Sequence, residues 1–243
     1  MKEKVLGIQV NTEKYARLIK EIFSRIERKE KTLIVAINPE KIMNAKDNES
    51  LKKLLNDAEI QIPDGIGVII ASKIQKGNIH ERVTGVEMMM RICEEASKQD
   101  KSIFLYGGKC GVADQAAKKL KELYPTIKVV GTQDGYENNM EKVISNINKA
   151  KPDILFVAMG SPKQENWINQ YRNQLYPTIF QGVGGSFDVL AGTVKRAPVI
   201  FQQLGLEWLY RLLKEPKRFK RQLALPRFLV EVVRHSVRKQ HKV

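Results

Sequence analysis

The 243-residue chain is 42% apolar and 28% charged, which is enough to bury one sizeable core and favours one α/β domain or a domain with an appendage. Its 42 Lys and Arg against 27 Asp and Glu, formally +15, call for an anionic partner: nucleic acid, a phosphorylated substrate or anionic lipid. Two cysteines without a CxxC pair, Cys93 and Cys110, exclude a disulfide framework or zinc-finger pattern and suit a reducing cytoplasm. The N-terminal residues lack a signal peptide's apolar core, and no apolar run approaches the ~20 residues of a membrane span.

Residues 32–37 (TLIVAI) read as a buried strand. Asn38, in the INPEKIM that closes it, either caps the helix that Pro39 starts or bonds a uracil or ribose edge. Residues 50–58 read as a helix with a polar face. IPDGIGV (62–68) holds Asp64 in a tight turn before a helix start. There it caps the helix, or it takes a proton from a sugar hydroxyl. In ERVTGVEMMM, Arg82 is a surface residue ahead of a helix or a cation that reaches a diphosphate. Met88, Met89 and Met90 read as core filler.

Residues 102–106 (SIFLY) form a strand, followed by Gly107-Gly108 and a helix over 111–124. The glycine pair is a tight βα turn or a phosphate cradle, and its spacing is neither GxGxxG nor a Walker A loop. A short strand at 128–131 leads into GTQDGY, where Tyr136 is a loop residue or stacks on a base. A helix covers 140–150, and a strand covers 153–159 (DILFVAM). Gly160-Ser161-Pro162 then opens a helix whose first turn carries Lys163 and Gln164, which either face a ligand or simply line the loop. A last strand, 178–183, ends in Gly184-Gly185, where backbone can approach a ligand closely. Asp188 beyond it is favoured by the helix dipole or accepts hydrogen bonds from uracil or ribose.

Continuous apolar strands alternating with helices indicate an α/β fold with a mostly parallel sheet covered on both faces. In such sheets ligands bind beyond the carboxyl ends of the strands, and the polar and glycine-rich motifs fall at those ends. A composition shift near Lys195 divides the chain into a core, 1–196, and a basic C-terminal appendage, 197–243. Residues 205–243 contain 11 Lys and Arg against 3 acidic residues. Helical spacing puts Leu225, Phe228, Leu229, Val232 and Val233 on one side. That stripe reads as a membrane-surface helix, a nucleic-acid-binding element or an ordinary docking helix.

Together PDGIGV, RVTG, TQDGY, VAMGSPKQE, GVGGSFDVLAG, VKRAP and LGLEWLYRLLKEP resemble the signatures of the WecG/TagA/CpsF glycosyltransferase family, in family order, over residues 32–225. The resemblance implies a Rossmann-like core whose C-terminal appendage completes the site at the membrane. It implies inverting transfer of N-acetylmannosamine from UDP to undecaprenyl-diphosphate N-acetylglucosamine, for teichoic acid linkage units or a similar polymer. The alternative donor is the UDP-linked uronic acid of the common-antigen branch, which the AIN spelling and SPKQE resemble, whereas PDGIGV resembles the teichoic branch.

Carried over residue by residue, the resemblance makes Asp64 the general base and places Arg82 and Gln164 in the catalytic set. Asn38, Tyr136 and Asp188 line the nucleotide, with the glycines at 107, 160 and 185 close to substrate, and Arg211, Arg218 and Arg221 hold the diphosphate. Ala36 replaces a threonine common in the teichoic branch. No DxD motif is present, so neither a metal nor another cofactor is expected. The enzyme is expected in the cytoplasm, peripheral to the inner membrane face through its tail and its affinity for anionic lipid. Self-association is left open, and no nucleic-acid partner is expected, although a basic nucleic-acid-binding α/β protein is the remote rival. The lack of GxGxxG after the first strand argues against a dinucleotide-dependent oxidoreductase.

Overall fold

The computed structural model describes residues 1–214, 219 and 223–240, with the side chains at 211, 239 and 240 left aside. A hairpin opens the chain, β1 (Lys2–Val5) pairing antiparallel with β2 (Ile8–Asn11). Next come α1 (Tyr15–Glu27), β3 (Thr32–Ile37), α2 (Pro39–Lys46), α3 (Glu49–Asp57), β4 (Ile60–Pro63), α4 (Ile66–Ile74) and α5 (Gly85–Lys98). The second half runs β5 (Ser102–Gly107), α6 (Val112–Leu123), β6 (Lys128–Gln133), α7 (Met140–Ala150), β7 (Ile154–Ala158), α8 (Lys163–Tyr171), β8 (Ile179–Gly182) and α9 (Ser186–Leu190). Beyond it lie α10 (Val199–Gln203), α11 (Glu207–Lys214) and α12 (Ala224–Gln240).

The central sheet has six strands in the order β4-β3-β8-β7-β5-β6, and every neighbouring pair is parallel. The α/β fold with a parallel sheet is therefore the one that the sequence pattern indicates. β3 shows why its apolar run is continuous. Successive side chains point to opposite faces, so Ile34 and Ala36 enter one core while Leu33, Val35 and Ile37 enter the other. The first core takes α1, α5, α6 and α9; the second takes α2, α3, α4, α7, α8, α12 and the hairpin. Met88 and Met89 are wholly buried in the first.

The stripe on α12 is divided between the core and the surface. α12 packs on α2 and α4, and Phe228 and Val232 are wholly buried in the second core. Most of that face is thus a docking face, laid over α2 and α4. Val233, read as part of the same stripe, is instead exposed along with Val230 and Val237. Arg227, Arg234 and Arg238 are also exposed on α12. Gly67 shows how close the docking is. A Cβ there would lie 2.5 Å from Pro39 Cγ and 2.8 Å from Leu225 Cδ1, so glycine is what lets α2, α4 and α12 meet.

Candidate active site at the strand ends

Asn38 follows β3 with extended backbone, and its Oδ1 accepts a hydrogen bond from the Lys41 N–H at 2.9 Å. Pro39 fills the first helical position, where no N–H is needed. The capping role of Asn38 is thus realised. Asp64 follows the neighbouring β4, and its N–H donates to the Ile37 carbonyl at 2.8 Å. Asn38 and Asp64 therefore leave adjacent strands side by side. Asp64 is half-buried, and the N-cap position of α4 falls on Gly65, one residue later.

The Arg82 loop is tied to the same edge, because the Val83 N–H donates to the Pro63 carbonyl at 2.9 Å. Thr84 caps α5 and donates its own N–H to the Tyr15 hydroxyl at 2.7 Å. The Arg82 guanidinium reaches into the segment after residue 196. Its Nη2 donates to the Gln202 carbonyl at 2.8 Å, and its Nη1 lies 3.2 Å from Glu207 Oε2. Arg196 lies 3.7 Å from the other Glu207 oxygen and 3.9 Å from Glu87.

On the other side of the sheet centre, the β5 turn is set by close backbone approach. Gly107 has φ +113, and a Cβ there would stand 2.4 Å from the Ala158 carbonyl oxygen, so only glycine fits. Gly108 donates to that carbonyl at 2.8 Å and accepts from the Gly135 N–H at 3.0 Å, which draws the loop carrying Tyr136 to the glycine turn. The Tyr136 ring is 67% exposed. Tyr106, just before the turn, is wholly buried with its ring 4.7 Å from that of Trp167. Burial, with Asp134 adding to it, pushes the Tyr106 hydroxyl up to about 12.

Gly160 accepts at its carbonyl from the Gln164 N–H at 2.9 Å. The Gln164 side chain is buried, its Nε2 donating to Glu165 Oε1 at 3.1 Å and its Oε1 accepting from the Gly184 N–H at 2.9 Å. Gly185 is exposed and begins the five-residue α9. Asp188 is half-buried, and its carbonyl accepts from Thr193 Oγ1 at 3.0 Å and the Val194 N–H at 3.1 Å. Of the three tail arginines, Arg211 falls on α11 with its side chain not described, and Arg218 and Arg221 lie outside the described residues.

Four charged residues and one amide at these strand ends escape the sequence reading. Lys41 and Glu165 form a buried pair at 2.6 Å, with side chains 8% and 1% exposed. Arg196 and Glu207 belong to the cluster around Arg82. Gln181, buried inside β8, donates to the Gly85 carbonyl at 2.9 Å. Only Gln181 leaves a clear signal in the chain, as an amide inside the apolar strand TIFQGV. Among the described residues no group of three His, Cys, Asp or Glu side chains is arranged to hold a metal ion. No described helix is long and apolar enough to cross a membrane.

The family model described as "Glycosyl transferase WecG/TagA/CpsF family" matches residues 3–242. A protein of Bacillus subtilis named N-acetylglucosaminyldiphosphoundecaprenol N-acetyl-beta-D-mannosaminyltransferase is 37% identical over 215 residues, 88% of this chain and 84% of its own. A Bacillus spizizenii protein of the same name is 35% identical over 211 residues, 87% of this chain and 82% of its own. A match over nearly the whole length, on a sheet whose strand ends gather the family's motifs, settles the relationship: this chain belongs to the WecG/TagA/CpsF family of glycosyl transferases.

Proposed function

We propose that this enzyme moves N-acetylmannosamine from UDP to undecaprenyl-diphosphate N-acetylglucosamine with inversion at the anomeric carbon. The names of the two Bacillus relatives support the sugar and the acceptor. The observation that carries the site is that Asp64 and Asn38 follow the ends of adjacent parallel strands, β4 and β3, where α/β folds bind ligands. In this reading the Asp64 carboxylate takes the proton of the acceptor hydroxyl as its oxygen bonds to the donor's anomeric carbon. The bond from that carbon to the diphosphate breaks, and UDP leaves with the electron pair. General-base help of this kind is worth about 10²–10⁴ in rate.

The departing diphosphate needs positive charge held in place before it forms. Arg82, with the tail arginines at 211, 218 and 221, fills that role in this reading, and no metal is required. Guanidinium forks suit phosphate oxygens. The Arg82–Glu207 contact supports a link between the site and the segment beyond residue 196. Membrane attachment belongs to the same proposal. The exposed Val230, Val233 and Val237 of α12 and Val199 and Ile200 of α10, with exposed arginines on α12, suit an anionic lipid surface.

The test is mass spectrometry of the product from undecaprenyl-diphosphate N-acetylglucosamine offered UDP-ManNAc and its uronic acid in competition. Gain of one neutral N-acetylhexosamine is expected. Exclusive gain of the uronic acid moves the enzyme to the other branch, and no gain from either donor ends the reading.

A further inference from the structure

The Lys41–Glu165 pair lies beneath these loops and has no role in the transfer as described. Glu165 Oε1 accepts from both Lys41 Nζ and Gln164 Nε2, while Glu165 Oε2 is buried with no hydrogen-bond partner among the described residues. Two charges are thus taken out of water for a carboxylate that is only half satisfied. Such a pair adds little stability over apolar residues of similar volume, so its presence calls for another reason.

The connectivity supplies one. The Lys41 backbone N–H fixes Asn38 Oδ1, and the Lys41 ammonium fixes Glu165. An ionised carboxylate only accepts, so Glu165 dictates that the Gln164 amide turns Nε2 toward it. Oε1 is then left facing the Gly184 N–H. One run of contacts, Asn38 to Lys41 to Glu165 to Gln164 to Gly184, crosses the loops after β3, β7 and β8. Burial by itself would raise the Glu165 carboxyl, but the Lys41 ammonium and the hydrogen bonds outweigh it and hold the carboxyl below the usual glutamate value.

We infer that Lys41 and Glu165 are positioning residues that orient the Gln164 amide and, through it, the Gly184 loop for sugar transfer. The inference rests on reading these strand ends as the transfer site. Two double variants without buried charge test it. In Lys41→Met/Glu165→Gln the side chain at 165 still accepts from Gln164; in Lys41→Met/Glu165→Leu it does not. Both are expected to melt close to each other. The Gln variant is expected to hold kcat within about threefold of wild type and the Leu variant to lose about tenfold or more, as small misplacements do. Exchange of the Gly184 amide hydrogen is expected to be faster in the Leu variant.

Equal kcat in the two variants overturns the inference. Should wild-type enzyme transfer no sugar from UDP-ManNAc or its uronic acid, the proposed function fails and amide exchange alone decides. Faster exchange in the Leu variant then upholds the orienting role, and equal exchange removes it.

Discussion

Arg82 and Glu207 stand 125 positions apart in the chain and meet at 3.2 Å, joining the loop beside β4 to the first turn of α11. Their side chains are 20% and 13% exposed, so the contact is shielded from water more than a surface pair. Glu207→Gln keeps the shape and removes the charge that faces both Arg82 and Arg196. A partly exposed ion pair contributes on the order of 1 kcal/mol, and a loosening of that order is expected for the α10–α11 segment. Limited proteolysis checks it: cleavage between 197 and 214 should accelerate in the variant. Unchanged cleavage would mean that the carboxylate does not hold the segment.

Asp64→Asn separates chemistry from binding. Transfer is expected to fall by about 10²–10⁴, while UDP affinity by calorimetry stays within about twofold, since the lost group acts on the acceptor proton. Near-normal turnover would assign the proton to another group.

Phe228→Ala tests the seat of the last helix. The ring is wholly buried between α12 and the core, and truncation of a buried phenylalanine costs about 3–5 kcal/mol. Val233→Ala, on the exposed side of the same helix, should stay within about 0.5 kcal/mol of wild type. Urea unfolding of the two variants gives both numbers.

Tyr106→Phe separates two pH regimes. The hydroxyl is buried without a hydrogen-bond partner among the described residues, so its removal is expected to leave stability unchanged or higher at pH 7. In the folded protein the group titrates at about 12 instead of 10.0. A raised value favours the neutral form in the fold. Stability is therefore insensitive to this group below about pH 10 and is lost as pH climbs from there through the folded value. Melting curves from pH 9 to 12 should fall less steeply for the variant, and parallel curves would contradict the burial of that hydroxyl.

Glu165 gives the opposite sign. Its carboxyl is held below the usual value by Lys41 against the pull of burial. Its contribution is present above the ordinary glutamate range and vanishes as pH falls through the lower folded value. Wild type should therefore lose stability in acid more steeply than Lys41→Met/Glu165→Leu. A wild-type acid profile no steeper than the variant's would argue against an ionised Glu165.

Long apolar runs such as TLIVAI and DILFVAM announce their strands because both faces of the sheet are covered. β4 is less legible: four residues, with Gln61 inside and Pro63 at the end, at an edge where proline is tolerated. The hairpin hides in the charged N-terminal KEKV, whose Val5 alone is buried. At the site, Asp64, Asn38 and Arg82 stand out because turns and caps have local signatures. Lys41, Glu165 and Glu207 do not, since a Lys or Glu within a helix looks like a solvated charge until a residue over a hundred positions away is seen to pair with it. The tail leaves several readings open for a related reason, because helical spacing identifies an apolar stripe but not what covers it.

The seating of Leu225, Phe228 and Val232 has a practical corollary. Deleting the C-terminus uncovers α2 and α4 as well as removing basic residues, so a shortened enzyme that loses activity or precipitates says nothing specific about lipid. Charge reversal at the outward arginines, Arg227, Arg234 and Arg238, leaves the seat intact and isolates the membrane question.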